Sequence, residues 1–279
     1  MAKPSAPGLR VRRWEAGRWS ESPDAVVTEE PLQLLLDGKP LSVLMRTPGE
    51  DIELAVGLMF AEGIIRSRDD VKEIRISAEA GEADSRVRVD ASLVESNQVD
   101  VHLVAAPRRR PERSMLSSSA CGVCGAVLID DLRRDLSALK DGLAVDPTIL
   151  PGLVEQLRSH QGVFERTGGL HAAGLFTQGG ELTCLREDVG RHNAVDKVVG
   201  RRLLDGRVPA SETVLVVSGR AGYEIVQKSI SAGIPVLCAV GAPSSLAVAL
   251  AREFNQTLVG FLRGERFNVY SAPERLAAS

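Results

Sequence analysis

The sequence predicts an α/β protein in two parts, and three observations carry that prediction. Hairpin patterns punctuated by turns fill the first third of the chain, strands and helices alternate from about residue 191 onward, and the composition shifts over 105–119. Hairpins with a single helix among them read as a small α+β unit, whereas strands separated by single helices read as a sheet covered on its faces. The expected units are therefore 1–115, an N-terminal α+β domain with its linker, and 116–279, an α/β core. A chain of 279 residues has room for both.

In order along the chain, the first ten residues are rich in Pro, Ser and Gly and read as a loose tail, with structure beginning over 9–14. Apolar runs at 32–36 and 41–45 flank Asp37-Gly38-Lys39, a strong hairpin signal. Thr47-Pro48-Gly49-Glu50-Asp51 supplies turn and cap chemistry for a helix carrying Ile52, Val56 and Met59, which Gly63 stops. A second hairpin is expected from 72–77 and 86–91 around the acidic, Gly-containing stretch 79–84. Pro107-Arg108-Arg109-Arg110-Pro111, Arg113 and Ser117-Ser118-Ser119 then read as a loop. Helical spacing resumes over 128–139 and near Pro151, Leu153, Val154 and Leu157, where Pro suits a first turn. A third hairpin, 170–176 with 182–185, turns at Gln178-Gly179-Gly180. The alternation that follows is helix 191–204, strand 213–217, helix 223–232, strand 234–240, helix 244–254 and strand 257–261.

Hydrophobic residues at 44% and charged residues at 25% exclude a disordered chain. A net charge of −3 and only 4% aromatics argue against nucleic acid as a partner, by field or by stacking. No apolar run approaches the roughly 20 residues that cross a bilayer, and 1–13 contains no apolar core of a signal peptide, so a cytoplasmic protein with no membrane partner is expected. Four cysteines are too few for a disulfide scaffold and fit a reducing compartment.

The densest chemical signal is Ala120-Cys121-Gly122-Val123-Cys124-Gly125. As half of a structural zinc site it lacks a second ligand pair. A zinc deaminase would need His-x-Glu, and His171-Ala172-Ala173 has alanine in place of Glu and follows the cysteines rather than preceding them. A thioredoxin-like site would sit at a helix start after a buried strand, but here a Ser- and Arg-rich stretch precedes it. A persulfide carrier suits the pair better: Arg108, Arg109, Arg110 and Arg113 would lower a thiol pKa, and Gly122 and Gly125 would supply freedom to reach donor and acceptor. Two packing cysteines are the bland alternative, which is the preferred reading for Cys184 and Cys238 inside apolar strands.

The second signal is three Gly-plus-cation segments at strand ends: Ser218-Gly219-Arg220-Ala221-Gly222, Glu187-Asp188-Val189-Gly190-Arg191-His192 and Phe261-Leu262-Arg263-Gly264-Glu265-Arg266. Two of them open helices, with Asp188 a candidate cap. At one edge of one sheet they would build a crevice for a phosphate or nucleotide, since ligands of α/β sheets sit beyond the strand carboxyl ends. Each glycine alone is explained as well by turn geometry. His171 and His192 stand as acid/base candidates or as hydrogen-bonded structural residues.

Taken in order, Cys121-Gly122-Val123-Cys124-Gly125, Gly169-Leu170-His171, Glu187 through His192 with Asp196-Lys197, Ser218 through Glu224 with Gln227-Lys228-Ser229, and Thr257 through Arg266 to Tyr270 resemble the FdhD family of sulfur carriers over 26–272. The resemblance implies a cytidine-deaminase-like three-layer core, a smaller N-terminal domain and a homodimer. It implies a sulfurtransferase in which Cys121 accepts persulfide sulfur from a cysteine desulfurase, with Cys124 assisting. The sulfur passes to the molybdenum or tungsten of a bis(molybdopterin guanine dinucleotide) cofactor, for the catalytic subunit of formate dehydrogenase. It places the guanine dinucleotide at Phe261, Leu262, Arg263, Gly264, Glu265 and Arg266, and implies no tightly bound structural metal. Glu265 puts a carboxylate in this run, so backbone N–H groups and Arg263 or Arg266 must dominate there. The alternative function is a chaperone that inserts the cofactor without handling sulfur.

Overall fold

Two six-stranded sheets and a separate two-stranded ribbon organise the chain. The structure is a computed structural model and describes residues 6–76, 86–89, 97–107, 115–116 and 136–276. Cys121, Cys124, Arg108, Arg109, Arg110, Arg113 and the 79–84 stretch lie outside the described residues.

The ribbon pairs β1 (Gly8–Glu15) with β2 (Arg18–Ala25) in antiparallel register. Ala16 and Gly17, both at positive φ, form a turn whose twist matches the strands. The sequence reading located the start of β1 and missed β2, whose Ser, Glu, Pro and Asp residues do not read as strand formers.

The N-terminal sheet has the order β6-β5-β7-β3-β4-β8. Its strands are β3 (Glu30–Leu36), β4 (Lys39–Arg46), β5 (Val71–Ile76), β6 (Val87–Val89), β7 (Gln98–Leu103) and β8 (Met115–Leu116). The expected Asp37-Gly38 hairpin joins β3 to β4, with both turn residues at positive φ. The second expected hairpin is corrected: β5 and β6 run parallel, and the antiparallel partner of β5 is β7. Strand β7 was hidden by Asp100, a buried carboxylate that accepts the Gly38 N–H at 3.0 Å and so holds the neighbouring turn. Helix α1 (Asp51–Ala61) covers the sheet with Leu54, Ala55, Val56 and Met59.

The second sheet has the order β10-β9-β11-β12-β13-β14. Strands β11 (Thr213–Val217), β12 (Val236–Ala239) and β13 (Thr257–Arg263) are parallel. The hairpin of β9 (His171–Thr177) and β10 (Leu182–Asp188) flanks β11 antiparallel, and β14 (Arg266–Ser271) flanks β13. Alternate residues of the strands feed two cores, so the arrangement has three layers. Leu215, Val217, Leu237 and Leu258 pack under α4 (Arg191–Leu204), α5 (Tyr223–Ser231) and α6 (Ser245–Glu253). Val214, Val216, Val236, Cys238 and Val259 pack under α2 (Leu150–Ser159). A short helix, α3 (Gly162–Thr167), follows α2. The helix expected over 128–139 is absent at 136–139: the Leu139 N–H donates to Phe254 O, and its carbonyl accepts from Asn255 at 3.0 Å. Residues 128–135 lie outside the described residues.

The two sheets meet where α1 crosses α4. A Cβ built on Gly57 would lie 1.9 Å from Asp196 O, and one on Gly200 would lie 1.9 Å from Glu53 O. Glycine inside a helix costs about 1 kcal/mol relative to alanine, and here that cost allows backbone-to-backbone contact. Arg186 reinforces the crossing with two bonds to Glu53, at 2.5 and 2.8 Å.

Gly57→Ala and Gly200→Ala should each destabilise the protein by about 3 kcal/mol or prevent folding, because backbone atoms cannot yield as a flexible side chain does. Gly152 of α2 has open space where a Cβ would go, so Gly152→Ala should be neutral or stabilising by up to about 1 kcal/mol. Urea denaturation of the three variants reads the difference.

Candidate functional site

The loops that leave β11, β12 and β13 at their carboxyl ends lie side by side. Gly241 N donates to Gly219 O at 2.9 Å, and Phe261 N donates to Gly241 O at 3.1 Å. Because β9 runs against β11, and β10 against β9, the start of β9 and the end of β10 reach the same edge. There Ser218 N bonds Ala172 O at 3.0 Å and Ala172 N bonds Ser218 Oγ at 2.9 Å. The edge thus brings together all three Gly-plus-cation segments. Glycine is favoured at Gly241, where a Cβ would crowd Gly219 O and Arg220 Cγ at 3.0 Å, whereas one on Gly219 would reach His171 Nδ1 at 3.4 Å, an ordinary contact.

Asp188 sets the geometry of the β10–α4 turn. Its fully buried carboxylate accepts Gly190 N and Asn193 Nδ2, both at 2.8 Å, and Thr47 N at 3.2 Å. Lys197, also fully buried, sits 2.9 Å away and donates to Thr47 O and Glu187 O. Asp188 is therefore not the cap the sequence suggests. Gly190 occupies the N-cap position, and the carboxylate two residues earlier organises the turn instead. The stretch 47–51 supplies the turn before α1, with Glu50 at the N-cap position and no side-chain cap bond, while the Thr47 hydroxyl accepts Val189 N at 3.2 Å.

Behind the edge runs a chain of charges that the sequence reading missed. Lys228 donates twice to Asp196, at 2.7 and 2.9 Å, and lies 3.4 Å from Glu224, which lies 3.3 Å from His192 Nε2. Burial pushes the Asp196 carboxyl up to about 7, against the pull of Lys228. Burial also works against the Lys228 charge, but Asp196 and Glu224 outweigh it, and the two short bonds favour the ion pair. The Glu224 carboxyl is raised by burial as well. His192 is pulled down to about 3 by burial and by Arg191 and Lys228. His171 is lowered by burial, then by Arg191 and Arg220. Both imidazoles are neutral at pH 7. The Arg191 Nε is buried without a hydrogen-bond partner, so the guanidinium has unused donor capacity at this edge.

The six residues given to the dinucleotide do not share one environment. Phe261 is 42% exposed and takes φ of 54°, a strained conformation for a non-glycine residue. Leu262 points the other way and is fully buried in the core beneath α2. Arg263, Gly264, Glu265 and Arg266 are exposed in the tight turn between β13 and β14, with Arg263 paired opposite Arg266. Arg263 Nε reaches Val240 O at 3.2 Å, which lays its stem along the neighbouring loop. Of the other cysteines, Cys184 is half-buried with its thiol pushed up to about 11, and Cys238 is fully buried with its thiol at about 12. Burial makes both poor nucleophiles. Among the described residues, no three His, Cys, Asp or Glu groups are placed to hold a metal ion.

His192 is held neutral in the folded protein well below its unfolded pKa of 6.5. As pH falls below that value the unfolded chain takes up a proton that the folded chain refuses, so this residue's contribution to stability declines. His192→Gln should therefore gain on the parent by about 1.4 kcal/mol per pH unit below 6.5, read from paired urea melts at pH 7 and pH 5. A constant difference between the two would place His192 in a polar, titrating setting.

The FdhD/NarQ family model matches residues 27–277. The sulfur carrier protein FdhD of Streptomyces avermitilis is 48% identical over 274 residues, covering 96% of this chain and 94% of that protein. The protein of the same name from Sulfolobus acidocaldarius is 41% identical over 268 residues, covering 96% and 97%. A crystal structure assigned as a formate dehydrogenase accessory protein from Desulfotalea psychrophila superposes with a TM-score of 0.78 at 25% identity, over 98% of this chain and 100% of the other. Since the match takes in both six-stranded sheets and every loop of the carboxyl edge, the chain belongs to the FdhD/NarQ family.

Proposed function

We propose that this chain is a sulfurtransferase of the carrier type, which takes persulfide sulfur from a cysteine desulfurase onto Cys121 and delivers it to the bis(molybdopterin guanine dinucleotide) cofactor of formate dehydrogenase. One observation carries the reading. Of four cysteines in a chain 48% identical to a sulfur carrier, Cys184 and Cys238 are held as thiols by burial, which leaves Cys121 and Cys124 for the chemistry.

In the accepting step the Cys121 thiolate attacks the outer sulfur of the donor persulfide. A new S–S bond forms, the donor S–S bond breaks, and the donor cysteine leaves as thiolate with its electron pair. The transferred sulfur is then the outer atom of a Cys121 persulfide, and Cys124, three positions along the chain, would assist or share the load. The dinucleotide cofactor is the substrate of the delivering step. Its guanine would meet the exposed Phe261 ring and the Arg263–Arg266 turn. Its pyrophosphate would meet the cations of the carboxyl edge, where Arg191 has an unpartnered N–H and α4 and α5 present their N-termini. Glu265, at the tip of the turn, faces solvent and is free to accept from the guanine edge. The partners on this reading are the cysteine desulfurase, the catalytic subunit of formate dehydrogenase and a second copy of the chain in a homodimer. A cytoplasmic setting accords with the reduced thiols, and among the described residues no helix is long and apolar enough to cross a membrane.

Incubated with a cysteine desulfurase and free cysteine, the protein should gain the mass of one sulfur atom, and Cys121→Ala should not. An unchanged mass for the parent protein would sink the carrier reading and leave that of a cofactor-inserting chaperone. Arg263→Ala combined with Arg266→Ala should weaken binding of guanosine diphosphate by about tenfold or more by calorimetry, while Cys121→Ala leaves it unchanged.

A further inference from the structure

The β1–β2 ribbon joins neither six-stranded sheet and precedes the residues that match the family model, so the chemistry above makes no use of it. A lone two-stranded ribbon is marginally stable in water. This one also exposes Trp14 and Trp19, at 57% and 60%, a cross-strand pair with ring centroids 5.2 Å apart and ring planes tilted by 53°. The Arg12 guanidinium lies over the Trp19 ring at 5.1 Å. Arg and Trp exposed together are the side chains that dominate protein interfaces.

The two edges of the ribbon differ. The turn at Ala16-Gly17 makes Glu15 and Arg18 a hydrogen-bonded pair, so with strict alternation Arg10, Arg12 and Trp14 direct their N–H and C=O groups outward on β1. Among the described residues no backbone hydrogen bond reaches that edge. On β2 the outward position opposite Arg10 is Pro23, which has no N–H and obstructs strand addition. A third strand can therefore add to β1 only.

Charge selects what that strand is. Its residues opposite Arg10 and Arg12 share the face of the tryptophans and meet two guanidinium groups. Among the described residues the counter-charge at Arg10 is Glu21 at 3.8 Å, with both side chains largely in water, a pairing worth little. The alternate residues face Leu9 and Val11, while Arg13 on that side lies 3.9 Å from Asp24. We infer that the outer edge of β1 is a docking site for an extended segment of a partner protein in which acidic and apolar residues alternate, added as a third strand across the Arg10, Arg12 and Trp14 face.

Trp14 and Trp19 are the only tryptophans in the chain, so indole emission reports on the ribbon alone. The full chain is titrated with a Glu-Val repeat peptide as long as β1, capped at both ends, and with its Lys-Val counterpart. A saturable emission change with the Glu-Val peptide alone supports the site. In Arg10→Ser with Arg12→Ser the affinity should fall by about tenfold, two lost cross-strand charge pairs. In Arg10→Glu with Arg12→Glu the preference should pass to the Lys-Val peptide, with far-UV circular dichroism of both variants matching the parent. No response to the Glu-Val peptide, or an equal response to both peptides, overturns the inference. So does an emission change that follows protein concentration without peptide, which assigns the edge to a second copy, or a response to phosphatidylserine vesicles in place of the peptide, which assigns it to a membrane.

Discussion

The carboxylate of Asp188 is buried with four groups directed at it, and the carboxyl edge of the second sheet depends on that arrangement. An ionised carboxylate without water must be compensated nearly completely, since the penalty for an unpaired buried charge is several kcal/mol. Lys197 supplies the opposite charge, and Thr47 N, Gly190 N and Asn193 Nδ2 supply the bonds. Two of these partners belong to the turn that starts α4. A third, Thr47, belongs to the connection between β4 and α1. The same interaction therefore shapes the Gly190-Arg191-His192 turn and fixes the N-terminal sheet against it, and Asn193 adds a bond to Met45 O at 2.8 Å.

Helix α4 carries this coupling in three directions. Its Lys197 side chain enters the Asp188 cluster, its Gly200 lies against the backbone of α1, and its Asp196 side chain pairs with Lys228 of α5. The backbone contact at Gly57 and Gly200 brings the helices so close that no side chain separates them there; Leu203 and Phe60 pack beside the contact, and the polar residues Glu53 and Asp196 lie within it. The cost is a set of buried charges. Their mutual pairing keeps Lys228 ionised while burial keeps His192 neutral, so the helix starts present cationic guanidinium groups and uncharged imidazoles to the edge.

Much of the architecture was legible because it follows from local rules. The strands at 213–217 and 257–260 are continuous runs of Val, Leu and other small or apolar residues buried on both faces. The helices that precede and join them begin after glycine or serine and carry an apolar stripe. The Asp37-Gly38 turn needs positive φ at two successive residues, which that dipeptide tolerates. Strand β14 was not legible, because its Arg266, Asn268 and Val269 are exposed and only pairing with β13 makes it a strand. Nor was the parallel pairing of β5 with β6, which depends on β7 taking the antiparallel edge of β5.

For the candidate site the same division holds. The sequence by itself determined that three glycine-and-arginine segments end strands, that Cys121 and Cys124 form a Cys-x-x-Cys pair among glycines, and that Cys184 and Cys238 are packing residues, since each depends on residue type and near neighbours. Tertiary structure decided which charges face one another: Asp188 with Lys197 and Thr47, Asp196 with Lys228, Glu224 with His192, and Leu262 turned into the core while Phe261 stays out. These choices join residues up to 141 positions apart. No periodicity encodes them, because a buried charge takes whichever partner the folded backbone brings within hydrogen-bonding distance.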